Sequence, residues 1–233
     1  MISLLEADPE LGAELTPEQL ADARRLVLPK ALLDPGPWSI ERLDQAAGVK
    51  GALRAFLVLT GAVTIELEIG DHVCTRLITS GELVLLPGSG ADSLPVRTGW
   101  TTLQPAELVI LDDRLLIIAA AWPPLMAAIL KRAAEQIRHA LLQQAINQLP
   151  RVEDRLLALL WSIADRRGIV RPHGVWVSLP VTHATLAQMI GARRPTVSLG
   201  LRRLQDQRLL VRQDDGWLLA PDSAQAFPQP VAG

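Results

Sequence analysis

The stretch Val181-THATLAQMIGARRPTVSLGLRRLQDQRLLVRQDDGWL-Leu219 decides how this chain is read. Thr182 offers a hydroxyl to cap the first free N–H groups of a helix, which continues through Leu186, Ala187 and Ile190 on one face. Gly191 ends that helix and permits a sharp turn, while the small Ala187 lets a following helix cross closely. Arg193, Arg194, Pro195 and Thr196 then form the first turn of a second helix, where a proline lacking its N–H is tolerated. Val197, Leu201 and Leu204 make its burial face, so Arg194, Ser198 and Arg202 point outward. Two short apolar runs, Leu209 to Arg212 and Trp217 to Leu219, flank Asp214-Asp215-Gly216, and an Asp-Gly pair between such runs predicts a hairpin. Helix, turn, helix and hairpin are the parts of a winged helix-turn-helix.

That arrangement suits the reading of bases in the major groove, where a guanidinium donates two hydrogen bonds to the O6 and N7 of guanine. Arg194 is the first candidate for that role, and Arg193 either shares it or binds phosphate. Thr182, Thr196 and Ser198 suit phosphate contacts, His183 stands where it would reach a phosphate, and Arg202 lies on the same open face. A solvated basic surface is the plain alternative for the arginines, and helix capping alone accounts for Thr182.

Val181 to Leu219, and above all Gly191-Ala-Arg-Arg-Pro-Thr-Val-Ser198, resembles the DNA-binding domain of the cyclic-AMP receptor protein and fumarate-nitrate regulator (Crp/Fnr) superfamily. The resemblance implies that Arg194 reads guanine, with Arg193 and Thr196 beside it at the DNA surface. Two positions depart from the pattern. Pro195 stands where better-known members carry a base-contacting glutamate, and Leu199 where some carry a second arginine, so the preferred DNA sequence does not carry over.

Charge is distributed in keeping with this reading. The whole chain carries a net of −2, yet residues 150–233 hold 11 arginines and no lysine against 7 acidic side chains, a net of +4, while residues 1–149 carry −6. A basic head on an acidic body directs DNA to one end. The 233 residues suffice for two modest domains. The single cysteine, Cys74, excludes a disulfide framework and is expected as a buried thiol. No run of about 18 apolar residues occurs, and the acidic N-terminus does not suit a secretory signal, so the expected location is the cytoplasm.

Upstream, Val152 to Ala164 predicts a helix with Leu156, Leu157, Leu160 and Ile163 on one face, ending in Arg166 and Arg167 before Gly168. Val175, Val177 and Leu179 alternate as a short strand, so the resemblance extends from about Leu149 to Leu219. Before it, about Pro124 to Leu149 predicts a long helix with Met126, Ile129 or Leu130, Ala133, Ile137, Leu141 and Gln144 or Ala145 at three- and four-residue steps. Such a stripe suits either a two-helix seam or a helix lying on its own domain. The resemblance implies the seam, and hence a homodimer.

Short β-like runs fill roughly residues 35–120: Ala55 to Leu59, Val63 to Ile69, His72 to Ile78, Glu82 to Leu86, Gly99 to Leu103 and Glu107 to Asp112. They predict a sandwich or barrel, and their place before the long helix resembles the jelly-roll sensor of Crp/Fnr proteins. The expected fold is therefore α+β. A cupin-like, cyclic-nucleotide-binding-type jelly-roll would occupy residues 1–120, a dimerisation helix 121–149 and a winged helix-turn-helix 150–233.

Gly81-Glu82-Leu83 is similar to the triplet of the family's cyclic-nucleotide cassette, and Arg97-Thr98 to its cationic pair. If Gly81-Glu82 is instead a turn before an earlier strand, Asp92 takes the place of the glutamate and the short phosphate-binding helix is missing. Glu82, Asp92, Arg97 and Thr98 are thus the candidate effector-binding residues; the spacing argues against a cyclic nucleotide but leaves it open, and no cofactor is assigned. Arg97 alternatively is a surface arginine.

His72, His139, His173 and His183 lack the close spacing of a metal site, and no catalytic constellation assembles from local motifs. The six tryptophans, Trp38, Trp100, Trp122, Trp161, Trp176 and Trp217, are spread as anchors and not as a base-stacking stripe. The expectation is a transcription regulator and not an enzyme. Its partners would be double-stranded DNA, a second copy of the chain, RNA polymerase and a small-molecule effector, with no membrane. The rival is a small-molecule-sensing β-domain whose winged domain is a protein-interaction module.

Overall fold

The computed structural model describes residues 1–48, 53–86, 94–213 and 216–226. The chain divides into two compact units, Met1–His139 and Ala140–Gly233, with the division inside one long helix.

The first unit opens with strand β1 (Ile2–Ser3), helix α1 (Leu4–Ala7) and helix α2 (Pro17–Ala23). Thr16 caps α2 in a reciprocal capping box with Gln19. Strands β2 (Val27–Leu28), β3 (Lys30–Leu33) and β4 (Gly36–Trp38) follow, then helix α3 (Ile40–Ala47), capped by Ser39 and ended by left-handed Gly48. The framework is strand β5 (Leu53–Ile69), β6 (His72–Thr79), β7 (Leu83–Leu85) and β8 (Val96–Asp112).

β5 and β8 pair antiparallel from Leu53↔Asp112 to Ile69↔Val96, with register shifts clustered between Val58 and Val63. Along its outer edge β5 takes β7 in its first half and β6 in its second, while β8 takes β4 in its first half and β3 in its second. One bent ribbon thus serves two sheets, the plan of a β-roll. The bend falls at Gly61, whose φ of +86° suits glycine, and an added Cβ there would strike the Pro105 carbonyl. Sequence alternation divided each long strand in two, at residues 60–62 and 104–106; the chain bends at those places without ending a strand.

The period of two sorts the side chains. Phe56, Val58, Val63, Ile78, Trp100, Leu108 and Ile110 fill the interior, where Trp38, Phe56 and Trp100 stack at centroid separations of 5.2–6.0 Å. Their neighbours Ala55, Leu57, Val109 and Leu111 face a second cluster with Leu4, Leu5, Leu115 and the long helix. Alternation also puts Cys74 outside. It pairs with Leu67 and is exposed while the adjacent Thr75 is buried, so the expectation of a buried thiol is corrected.

Helix α4 (Asp113–Ala119) leads into α5 (Pro123–Gln148), close to the predicted span. The stripe read from sequence resolves into two. Leu125, Ile129 and Ala133 are buried in their own unit, with Met126 packed beside them, while Leu130, Ile137 and Leu141 are each 60–62% exposed. Arg132 of α5 ion-pairs with Asp8 at 2.7 Å and Glu10 at 3.2 Å and donates to the Gly81 carbonyl. Burial pushes the Asp8 carboxyl above its usual range, with the Arg132 charge acting in the opposite direction.

The second unit contains α6 (Val152–Arg167), β9 (Ile169–Arg171), β10 (Gly174–Ser178), α7 (His183–Met189), α8 (Arg194–Asp206), β11 (Leu210–Gln213) and β12 (Gly216–Leu219). Its four strands pair in the order β11-β12-β10-β9, and α6 packs against α8 and β10. Strand β9, a three-residue run with every side chain exposed, carried no hydrophobic alternation that would have predicted it.

Candidate nucleic-acid interface

The second unit builds its open face from the inside outward. Leu156, Leu157, Leu160 and Ile163 of α6 are buried, as are Leu186, Ala187, Met189 and Ile190 around α7 and Val197, Leu201 and Leu204 of α8. Gly200 joins the α8 face. A Cβ there would stand 3.0 Å from Leu156 Cδ1, so the two helices meet where no side chain intervenes. Across the same interface Arg203 Nη1 binds Glu153 Oε1 at 2.6 Å, and this hydrogen bond holds the Glu153 carboxyl below its usual range.

With that face spent, the other side of α8 is free to meet a ligand. Thr182 accepts from the Thr185 N–H at 3.1 Å and so caps α7, as its position predicts. Gly191 takes a φ of +60° at the turn. Arg193 is the N-cap of α8, Pro195 lies in the first turn, and Arg193, Arg194, Thr196, Ser198 and Arg202 are all exposed. His183 Nδ1 lies 2.9 Å from Ser198 Oγ, which donates to the Arg194 carbonyl at 3.2 Å, tying the first helix to the open side of the second. The hairpin β11–β12 stands beside them with Trp217 buried and the Arg212 guanidinium 4.9 Å from its ring centroid. Asp214 and Asp215, expected at the hairpin turn, lie outside the described residues.

Sequence reading missed the side chains that hold this turn from behind. Gln143 of α5 donates to the Met189 carbonyl at 2.8 Å. Arg155 of α6 donates to the Leu149 carbonyl at 2.6 Å, to Ile190 at 3.3 Å and to Gly191 at 3.4 Å. The acceptors are backbone oxygens left over at helix ends, so no residue type marks them in the sequence.

Of the candidate effector residues, Glu82 does not meet Arg97 and Thr98. Glu82 accepts from the Thr79 N–H at 3.0 Å, the Thr79 hydroxyl at 2.9 Å and Arg76 at 3.2 Å, closing the turn in which Gly81 takes a φ of +83°. Its backbone pairs with Val58, whereas the exposed Arg97 and Thr98 lie opposite Glu68 and Leu67 toward the other end of β5. Asp92 lies outside the described residues. Among the described residues no group of three or more His, Cys, Asp or Glu side chains is placed to hold a metal, and no helix is long and apolar enough to cross a membrane.

A winged helix-turn-helix with exposed arginines, joined to a β-roll unit by a long helix, defines a DNA-binding transcription regulator. Residues 154–223 match the Crp-like helix-turn-helix domain. Over 216 residues the chain is 26% identical to the global nitrogen regulator of Synechococcus elongatus, covering 89% of this chain and 88% of that protein. Its fold matches that of a CooA variant from Carboxydothermus hydrogenoformans with a TM-score of 0.66, at 18% identity and over 97% of this chain and 94% of the other. FixK2 from Bradyrhizobium japonicum matches with a TM-score of 0.67 at 16% identity, over 89% of this chain and all of that one.

Proposed function

We propose that this regulator acts as a homodimer that reads two-fold-symmetric DNA sites, with Arg194 the principal base reader. The observation that carries this reading is the exposure of Arg193, Arg194, Thr196, Ser198 and Arg202 on one helix whose opposite face is fully buried. Arg194 supplies the bidentate guanine contact, while Arg193, Arg202 and the hydroxyls of Thr182 and Thr196 hold phosphates, and Ser198, whose hydroxyl hydrogen goes to the Arg194 carbonyl, acts through His183. His183 reaches a phosphate from the first helix.

A single reading helix touches few bases, and pairing two of them about 34 Å apart multiplies the contact. The exposed stripe of α5 supports the pairing. Leu130, Ile137 and Leu141, with the exposed Ala127 and Ala134, recur at the alternating three- and four-residue steps of a helix seam. Control by an effector bound to the β-roll unit, contact with RNA polymerase and a cytoplasmic location belong to the same reading. The commitment of Glu82 to Thr79 and Arg76 argues against a cyclic nucleotide as that effector. Family members are generally not enzymes, and catalysis has no part in this reading.

Selection of duplexes from a random pool by the purified protein tests it. Enrichment of symmetric half-sites whose centres lie one turn of DNA apart is expected; an unenriched pool would overturn it. A winged domain serving as a protein-contact module would retain no duplex at any salt, whereas phosphate-based binding weakens steeply as salt rises.

A further inference from the structure

We propose that duplex binding by this reading head is coupled to protonation of His183, so that the affinity of the regulator for DNA rises as pH falls. The inference rests on the DNA-reading role given above and adds a regulation of that same surface. Ser198 has one hydroxyl hydrogen and gives it to the Arg194 carbonyl at 3.2 Å. With that hydrogen so placed, its oxygen accepts from His183, 2.9 Å away, in the tautomer that carries the imidazole hydrogen on Nδ1. In the neutral ring Nε2 then carries a lone pair, and a lone pair repels a phosphate oxygen. Adding a proton leaves the Ser198 bond intact, turns Nε2 into a donor and gives the ring a positive charge, the combination that forms charge-assisted hydrogen bonds to phosphate.

The surroundings provide no competing anion within the motif. From Pro180 to Gln205 the sequence holds no acidic residue. The charged groups around Ser198 on α8 are Arg193, Arg194 and Arg202, and α7 has no ionisable side chain besides His183. Of the elements packed on the end of α7, α6 presents Arg155 and α5 presents the neutral Gln143, while Glu153 of α6 is bound to Arg203. The negative charge that would draw a proton onto His183 is therefore that of the bound DNA. A bound phosphate accepts from the charged ring and not from the neutral one, which makes the protonation a consequence of binding.

Equilibrium titrations of a duplex selected from a random pool, at constant ionic strength and at pH 6, 7 and 8, test the coupling. The full-length protein is expected to bind about fivefold more tightly at pH 6 than at pH 8, the order of gain that uptake of one proton confers. His183→Gln should bind with less than a threefold change over that range. Ser198→Ala frees Nδ1 from that bond, so the neutral ring is able to place its hydrogen on Nε2, and the ratio of the affinities at pH 6 and pH 8 should shrink. Calorimetry at pH 7 in two buffers of different ionisation enthalpy should show net proton uptake with the unsubstituted protein, which checks the coupling without any variant. Selective binding that is flat in pH, or a His183→Gln protein that keeps the full pH response, would refute the coupling and leave DNA reading standing. Absence of duplex binding at every pH would refute both.

Discussion

At the scale of single residues, Gly200 and Glu153 fix how far the reading helix stands from its support. Gly200→Leu would drive a side chain into Leu156, already at 3.0 Å from an added Cβ, and should cost about 1–3 kcal/mol of stability, read as a lower urea midpoint. Glu153 contributes through charge. Its folded-state carboxyl titrates lower than in the unfolded chain because Arg203 donates to it, so its stabilisation is present above the usual carboxylate range and is lost as pH falls through the lowered value. Arg203 is 57% exposed and solvent screens the pair, so Glu153→Gln should lower the urea midpoint at pH 7 by less than about 1 kcal/mol equivalent and flatten the acid limb of the stability profile. An unchanged acid limb would deny the pair that role. Of these residues the sequence made the apolar face of α8 legible by period alone, but not Gly200, because a glycine in a helix carries no sign of what passes over it.

At the scale of elements, two joints hold the architecture. In the β-roll, Gly61 lets β5 bend against Pro105, and Gly61→Ala combines an unfavourable left-handed φ with a backbone collision. It should cost about 1–3 kcal/mol, seen as a drop in thermal midpoint with the β-content of the folded state kept. Behind the reading helices, Gln143 and Arg155 together satisfy the Met189, Ile190 and Gly191 carbonyls. Arg155→Ala should destabilise the second unit by about 1 kcal/mol, since part-buried and exposed carbonyls at the turn lose a charged donor. The double variant with Gln143→Ala should lose less than the sum of the two single effects if both act on one turn; strict additivity would place them in separate roles. Alternation located nearly every stretch of β5 and β8 but not their continuity, because a bulge and a proline interrupt the pattern without ending the hydrogen-bonded ladder. Strands β3, β4 and β9 went unpredicted because short edge segments gain their structure from a partner strand more than from their own composition.

At the scale of the whole molecule, the charge asymmetry, the basic reading head and the two stripes of α5 support the proposal of one surface for DNA and another for a second copy. Ile137→Asp places a carboxylate in the middle of the exposed stripe and should shift sedimentation equilibrium toward monomer and weaken binding to a two-site duplex far more than to a single half-site. Equal weakening on both duplexes would show that the stripe serves something other than pairing. The reading head was legible from sequence because cap, glycine turn, paired arginines and hairpin residues follow one another locally, whereas the helix-end clasps and the separation of Glu82 from Arg97 depend on contacts between distant segments. The central claim is that Arg194 is held out to read a base, and gel-shift titration of Arg194→Ala tests it most directly. A loss of about 1–3 kcal/mol on the selected duplex with relaxed discrimination at one base pair per half-site, and little loss on random duplex, is the result expected; equal loss on selected and random duplexes would contradict it.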